Sequence, residues 1–289
     1  MKYLHITDTH FDHLFSPAFF DTQEAMIQDH FKKLDSFINS INSGKEKNIF
    51  LTGDISSGRF IKTHLEYLGK KLTNKKLFFV LGNHDFYHSS FETVNEEVKD
   101  LLSLEEYKDK LIYLENQSYY DNLSQVLIVG ANGWYDGEYS PFVSSTVKMN
   151  DYYIIKELNS IRIKSVPALR EECKRLSTVA ATKIKTDIEN GIKQYSPKKV
   201  VILTHVPPFK ELSTYKGKIS NDEWLPCFSS KFFGDTVLET VSNYKEIQFC
   251  LFCGHSHDEA YFNPCENLQC RTGKSEYGSP EKSIFRSKF

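Results

Sequence analysis

Seven side chains of metal-binding type stand where short apolar runs stop abruptly. They are Asp8 and His10 in Asp8-Thr9-His10, Asp54 in Gly53-Asp54, Asn83 in Gly82-Asn83-His84-Asp85, His205 in Thr204-His205, and His255 and His257 in Gly254-His255-Ser256-His257. Carboxylate and neutral imidazole are borderline ligands that suit Mn²⁺, Fe or Zn²⁺ better than Ca²⁺. Seven donors are too many for one transition metal and about right for two ions sharing a bridging carboxylate. In extended backbone, residues two apart point to the same side. Asp8 with His10, and His255 with His257, are therefore expected each to grip one ion as a pair. The glycines before Asp54, Asn83 and His255 allow tight turns and close backbone approach. Two divalent ions against Asp8, Asp54 and a hydroxide leave a charge of about +1, which attracts a phosphate, activates a water and stabilises a leaving oxygen. Turn chemistry explains a lone Asp or Asn after a strand. It does not explain three histidines placed that way.

The elements that must position these residues alternate. Tyr3 to Thr7 is a short strand, and Ile27, Phe31, Leu34, Ile38 and Ile41 step along one face of a helix. Asn48 to Thr52, Leu77 to Leu81, Leu111 to Leu114, Gln125 to Val129, Val200 to Leu203 and Ile247 to Cys253 read as further strands, with a Leu- and Lys-rich helix over residues 59–72. Strands alternating with amphipathic helices argue for βαβ units and a largely parallel sheet. Sites in such sheets form at the carboxyl ends of the strands, where the five clusters would converge. Residues 149–195 are mainly helical and read as an insertion, able to cap a site, in a single domain spanning residues 1–289. One or two short strands are expected beyond Asp258.

Composition bounds the rest. The 289 residues carry 36 basic and 38 acidic side chains, a formal charge of −2, and no basic stripe, so avid nucleic-acid binding is not indicated. No apolar stretch is long enough for a membrane span. The six cysteines are sparse, and Cys250 and Cys253 read as reduced core thiols rather than a zinc knuckle, which makes the cytoplasm the default compartment.

Taken in order over residues 8–257, Asp8-x-His10, Gly53-Asp54, Gly82-Asn83-His84-Asp85, His205 and Gly254-His255-x-His257 resemble the signature of the calcineurin-like metallophosphoesterase superfamily. The resemblance implies an α/β fold, a four-layer αββα sandwich of two mixed β-sheets flanked by helices. It implies two divalent or trivalent metal ions (Mn, Fe or Zn), one held by Asp8, His10, Asp54 and His257, the other by Asp54, Asn83, His205 and His255. It implies that His84 contacts the phosphate and protonates the leaving group, while a metal-bound hydroxide attacks a phosphate mono- or diester of a small phosphorylated substrate. After Gly53-Asp54 the chain continues Ile55-Ser56-Ser57-Gly58, without the second Asp and the Arg of the protein Ser/Thr phosphatases. The long capping domain and basic groove of the nuclease branch are not evident either. A non-catalytic scaffold and a nuclease are the alternatives, and the oligomeric state is left open.

Around the core set, Asp85 is expected to partner a histidine ligand or to cap a helix. Asp12, His13 and His88 flank the clusters as loop residues or substrate contacts. Asn132, Trp134 and Tyr135 could bind a base or sugar, or else anchor a loop. Arg59 and Arg162 are possible phosphate clamps.

Overall fold

The computed structural model of the protein describes residues 2–15, 22–140 and 145–288. In chain order the elements are β1 (Lys2–Ile6), α1 (Gln23–Asn42), β2 (Asn48–Thr52), α2 (Ile61–Lys71), β3 (Lys76–Val80), α3 (Phe91–Leu102), β4 (Leu111–Tyr113), β5 (Tyr119–Asp121) and β6 (Val126–Gly130). They continue with α4 (Asp151–Ile154), α5 (Lys156–Lys164), α6 (Val166–Tyr195), β7 (Lys199–Leu203), the hairpin β8 (Thr214–Tyr215) and β9 (Lys218–Ile219), and α7 (Leu225–Phe228). Last come α8 (Lys231–Ser242), β10 (Gln248–Cys253), β11 (Ala260–Cys265), β12 (Leu268–Thr272) and β13 (Phe285–Lys288). Local chemistry sets several boundaries. The Thr22, Ser90, Ser165 and Ser230 hydroxyls accept from the first-turn amides of α1, α3, α6 and α8.

Two mixed sheets result, in the orders β13-β1-β2-β3-β4 and β11-β12-β10-β7-β6-β5. Their centres are parallel and their edge strands β13, β5 and β11 are antiparallel. Side chains alternate along each strand, which splits the core into three layers. Tyr3, Phe50 and Phe78 of the first sheet meet Ile128, Val201 and Phe252 of the second between the sheets. Leu4, Ile49, Leu51 and Phe79 turn outward to bury the apolar faces of α1, α2 and α3. Leu127, Val129, Ile202 and Leu251 turn the other way, onto Ala180, Ile184 and Ile188 of α6 and Phe233 and Val237 of α8. The protein is thus an αββα sandwich.

Residues 149–195 hold α4, α5 and α6. The 30-residue α6 is the crossover between the parallel neighbours β6 and β7, and it packs along the outer face of their sheet. Its first turns lie elsewhere: Leu169 and Cys173 join the other core layer, beside Tyr135 and Tyr152. The short β5, the β8–β9 hairpin and β13 carry no sequence signal. Each is a two- to four-residue edge segment with too few alternations to register as a pattern. The six cysteines are all free. Cys250 faces the layer between the sheets and Cys253 the helices, because residues three apart on a strand point to opposite faces.

Candidate metal centre

The loops leaving β1, β2, β3, β7 and β10 meet at one end of the sandwich and bring all seven predicted ligands together. One donor atom each from Asp8, His10, Asp54 and His257 lies within 4.8 Å of the others, and so do donors from Asp54, His205 and His255. Asp54 belongs to both groups. Asn83 completes the second, its Oδ1 being 3.0 Å from His205 Nε2 and 3.0 Å from His255 Nδ1. His10 Nε2 and His257 Nε2 are 3.0 Å apart, and His205 Nε2 is 3.3 Å from Asp54 Oδ1.

The pairing of His255 with His257 on one ion is overturned. His255 turns to Asp54 and His205, whereas His257 turns to Asp8, 3.4 Å from Nε2 to Oδ1. The reason is backbone conformation. Asp8, His10, Asp54, His255 and His257 all have φ between +41° and +70°, so these loops are left-handed rather than extended and the alternation rule does not hold in them. Each such residue costs on the order of 1 kcal/mol or more, a strain concentrated where ligands must converge. Space is as tight as the torsions. A Cβ on Gly82 would sit 2.2 Å from Asp54 Oδ1, and Gly53, at φ +84°, would place one 2.6 Å from the Gly82 amide.

Backbone carbonyls orient the imidazoles. His205 Nδ1 donates to Thr52 O at 2.8 Å, which turns Nε2 inward, and His255 Nε2 donates to Cys227 O at 3.0 Å, which turns Nδ1 inward. Asp8 is held by the His255 amide (3.0 Å) and the Thr7 hydroxyl (2.5 Å).

The electrostatics call for cations. Burial pushes the Asp8 carboxyl up, yet His257 and His205 hold it down at about 2. Burial likewise opposes ionisation of Asp54, but His205, His84 and His10 hold it well below the usual carboxylate range. Burial disfavours protonated His205 and His257 too; Asp54 nevertheless lifts His205 to about 10, and Asp8 raises His257. Without metal, protons on these imidazoles neutralise the carboxylates. A cation placed there does the same work, and His10 presents Nε2 to it, 3.0 Å from His257 Nε2 and 3.7 Å from Asp54 Oδ2. The donor set fits two metal ions of borderline character.

A pH dependence follows. Metal must displace the His205 proton below about pH 10, and the His257 proton where that group is charged, so affinity rises with pH across roughly 6.5 to 8.5. Calorimetric Mn²⁺ titrations in buffers of different ionisation enthalpy should register proton release. An affinity flat over that interval would contradict the assignment.

His84 stands at the rim. Its ring stacks on Tyr87 (centroids 4.1 Å) and its Nε2 is 3.9 Å from Asp54 Oδ2, with the side chain 19% exposed. A cleft of ≈ 440 Å³ opens above the ligands, walled by His84, Met149, Tyr215, Lys216, Phe228 and Tyr277. His13 reaches only its edge, near His10 and Tyr277 (centroids 5.7 and 4.5 Å).

Other expectations are corrected. Asp85 partners no histidine ligand and caps no helix of a full turn; its two oxygens accept from the Ser56 and Gly82 amides, each at 2.8 Å, and so clamp the loops after β2 and β3. Asn132 is a strut beneath the site. Its Oδ1 accepts from the Leu81 amide and its Nδ2 donates to Tyr113, and it does not line the cleft. Trp134 and Tyr135 are buried, in keeping with the loop-anchoring alternative. Neither Arg59 nor Arg162 lines the cleft, and Arg162 bonds the Tyr152 carbonyl.

Sequence reasoning missed Asp151, the first residue of α4. It is fully buried, and its Oδ1 accepts from Asn83 Nδ2 (2.9 Å) and Tyr87 (2.6 Å) while Oδ2 accepts from Tyr135 (2.8 Å). That fixes the Asn83 amide with its oxygen toward His205 and His255. The available signal was a lone Asp beside Tyr152 and Tyr153 in an aromatic stretch. Asp151→Ala is expected to weaken binding of the second cation roughly 10- to 100-fold, the worth of such an outer partner, with Asp151→Asn restoring most of it. Mn²⁺ titration of both variants checks this. Wild-type affinity in Asp151→Ala would remove Asp151 from the positioning network.

The calcineurin-like phosphoesterase family profile matches residues 1–259. The chain belongs to that family. Among solved structures, this calcineurin-like phosphoesterase is similar to a dimetal phosphatase from Danio rerio, at 14% identity and a TM-score of 0.55, over 97% of this chain and 90% of that one. It is also similar to the protein TT1561 of Thermus thermophilus, at 10% identity and a TM-score of 0.54, over 99% and 98% of the two chains. At such identities the likeness is one of fold. A search of curated proteins finds no match. Among the described residues, no helix of this phosphoesterase is long and apolar enough to cross a membrane.

Proposed function

We propose that the protein hydrolyses a mono- or diester of a small phosphorylated substrate, with two metal ions bound at the seven-ligand cluster. The observation that carries the reading is Asp54, shared by two groups of ligand atoms that each close within 4.8 Å. Asp8, His10, Asp54 and His257 would hold one ion, and Asp54, Asn83, His205 and His255 the other. When bound, such a pair supplies Lewis acidity at the phosphoryl oxygens and lowers the pKa of a water. His84, stacked on Tyr87 at the wall of the cleft, would deliver a proton to the departing ester oxygen. The Asp54 carboxylate accepts from the His84 amide at 2.8 Å, which ties the acid's loop to the bridging ligand. Free, mostly buried cysteines support the cytoplasm as the compartment.

The test is metal analysis of the purified protein, followed by turnover of p-nitrophenyl phosphate and bis-p-nitrophenyl phosphate with Mn²⁺, Fe²⁺ or Zn²⁺. About two equivalents of metal and turnover of at least one ester are expected. Inertness with every metal would leave a scaffold.

A further inference from the structure

We infer that the protein has a second ligand site, separate from the metal centre, which takes a small planar organic anion and is built on Arg271. Arg271 lies on β12 and is only 6% exposed, yet its Nε and Nη1 have no hydrogen-bond partner. Its Nη2 donates to Glu259 at 3.1 Å. The guanidinium lies over the rings of Phe285 and Tyr261, 3.1 and 5.3 Å from their centroids. A buried cation with idle donors, lying over two rings, calls for an acceptor it does not have among its neighbours.

Beside it opens a cleft of ≈ 530 Å³, a volume suited to a small organic molecule. Lys199 adds a second positive charge to the lining, Asn263 and Gln269 add amides, and Tyr3 and Phe252 add aromatic faces. The Arg271 guanidinium gives the cleft a cationic wall, and the rings offer stacking to a flat ligand. None of its lining residues belongs to the catalytic cleft. The positions differ as well. Lys199 is the first residue of β7 and Tyr3 the second of β1, whereas the metal ligands follow the opposite ends of these strands.

The probe is 8-anilinonaphthalene-1-sulfonate, whose sulfonate is a weak metal ligand and offers no phosphoester to cleave. Titrated into the full-length protein, it should show one saturable fluorescent site, unchanged by EDTA. Arg271→Gln should weaken binding about tenfold or more, the worth of a charge-assisted bond. Lys199→Gln, on the rim, should weaken it a few-fold while leaving p-nitrophenyl phosphate turnover intact. No saturable site up to about 1 mM, the weak end of specific binding, would overturn the proposal, as would wild-type affinity in a folded Arg271→Gln protein. If that variant does not fold, wild-type affinity in Lys199→Gln overturns it.

Discussion

Asp54→Asn is expected to strip both metal ions and to lower turnover by more than the roughly 10- to 100-fold that loss of an outer partner costs, since a neutral amide has one oxygen where the carboxylate would be shared by two cations. The carboxylate has no idle side. Oδ1 accepts from the His84 amide at 2.8 Å and lies 3.3 Å from His205, while Oδ2 faces His10 at 3.7 Å and His84 at 3.9 Å. Elemental analysis beside circular dichroism separates loss of metal from loss of fold. A folded variant that retained two equivalents and wild-type turnover would end the proposal of a shared ligand.

The second large effect belongs to His84. His84→Ala should keep both ions, because it is absent from both ligand groups. It should slow an alkyl phosphate by roughly 10²- to 10³-fold, within the usual range for a general acid. p-Nitrophenyl phosphate should suffer far less, because nitrophenolate departs with little protonation. Equal losses on the two substrates would show that His84 positions the phosphoryl group instead of supplying a proton.

These expectations test a site that is largely legible in the chain. Strands β1, β2, β3, β7 and β10 are short apolar runs, and the polar residues that end them are the candidate ligands, so both strand and candidate site are visible in the same few positions. Conformation between ligands cannot be read that way. The two-residue spacing of His255 and His257 suggests a shared ion only while the backbone is extended, and a left-handed turn at each sends them to different groups. Asp85 and Asn132 mislead for a related reason. Both are polar residues beside a site, and only tertiary contacts show that their oxygens and nitrogens bond to backbone amides and Tyr113. Asp151 is invisible in the sequence because its importance lies in a bond to Asn83, 68 residues away. The crossover role of α6 is hidden similarly, since an isolated 30-residue helix carries no mark of the strands it joins.

The candidate ligands run from Asp8 and His10 to His255 and His257. A nascent polypeptide would therefore lack a complete set of donors for the second ion until synthesis had passed residue 255, and for the first until it had passed residue 257. Metal loading would then follow synthesis of both segments, and a product truncated before Gly254 would close neither set.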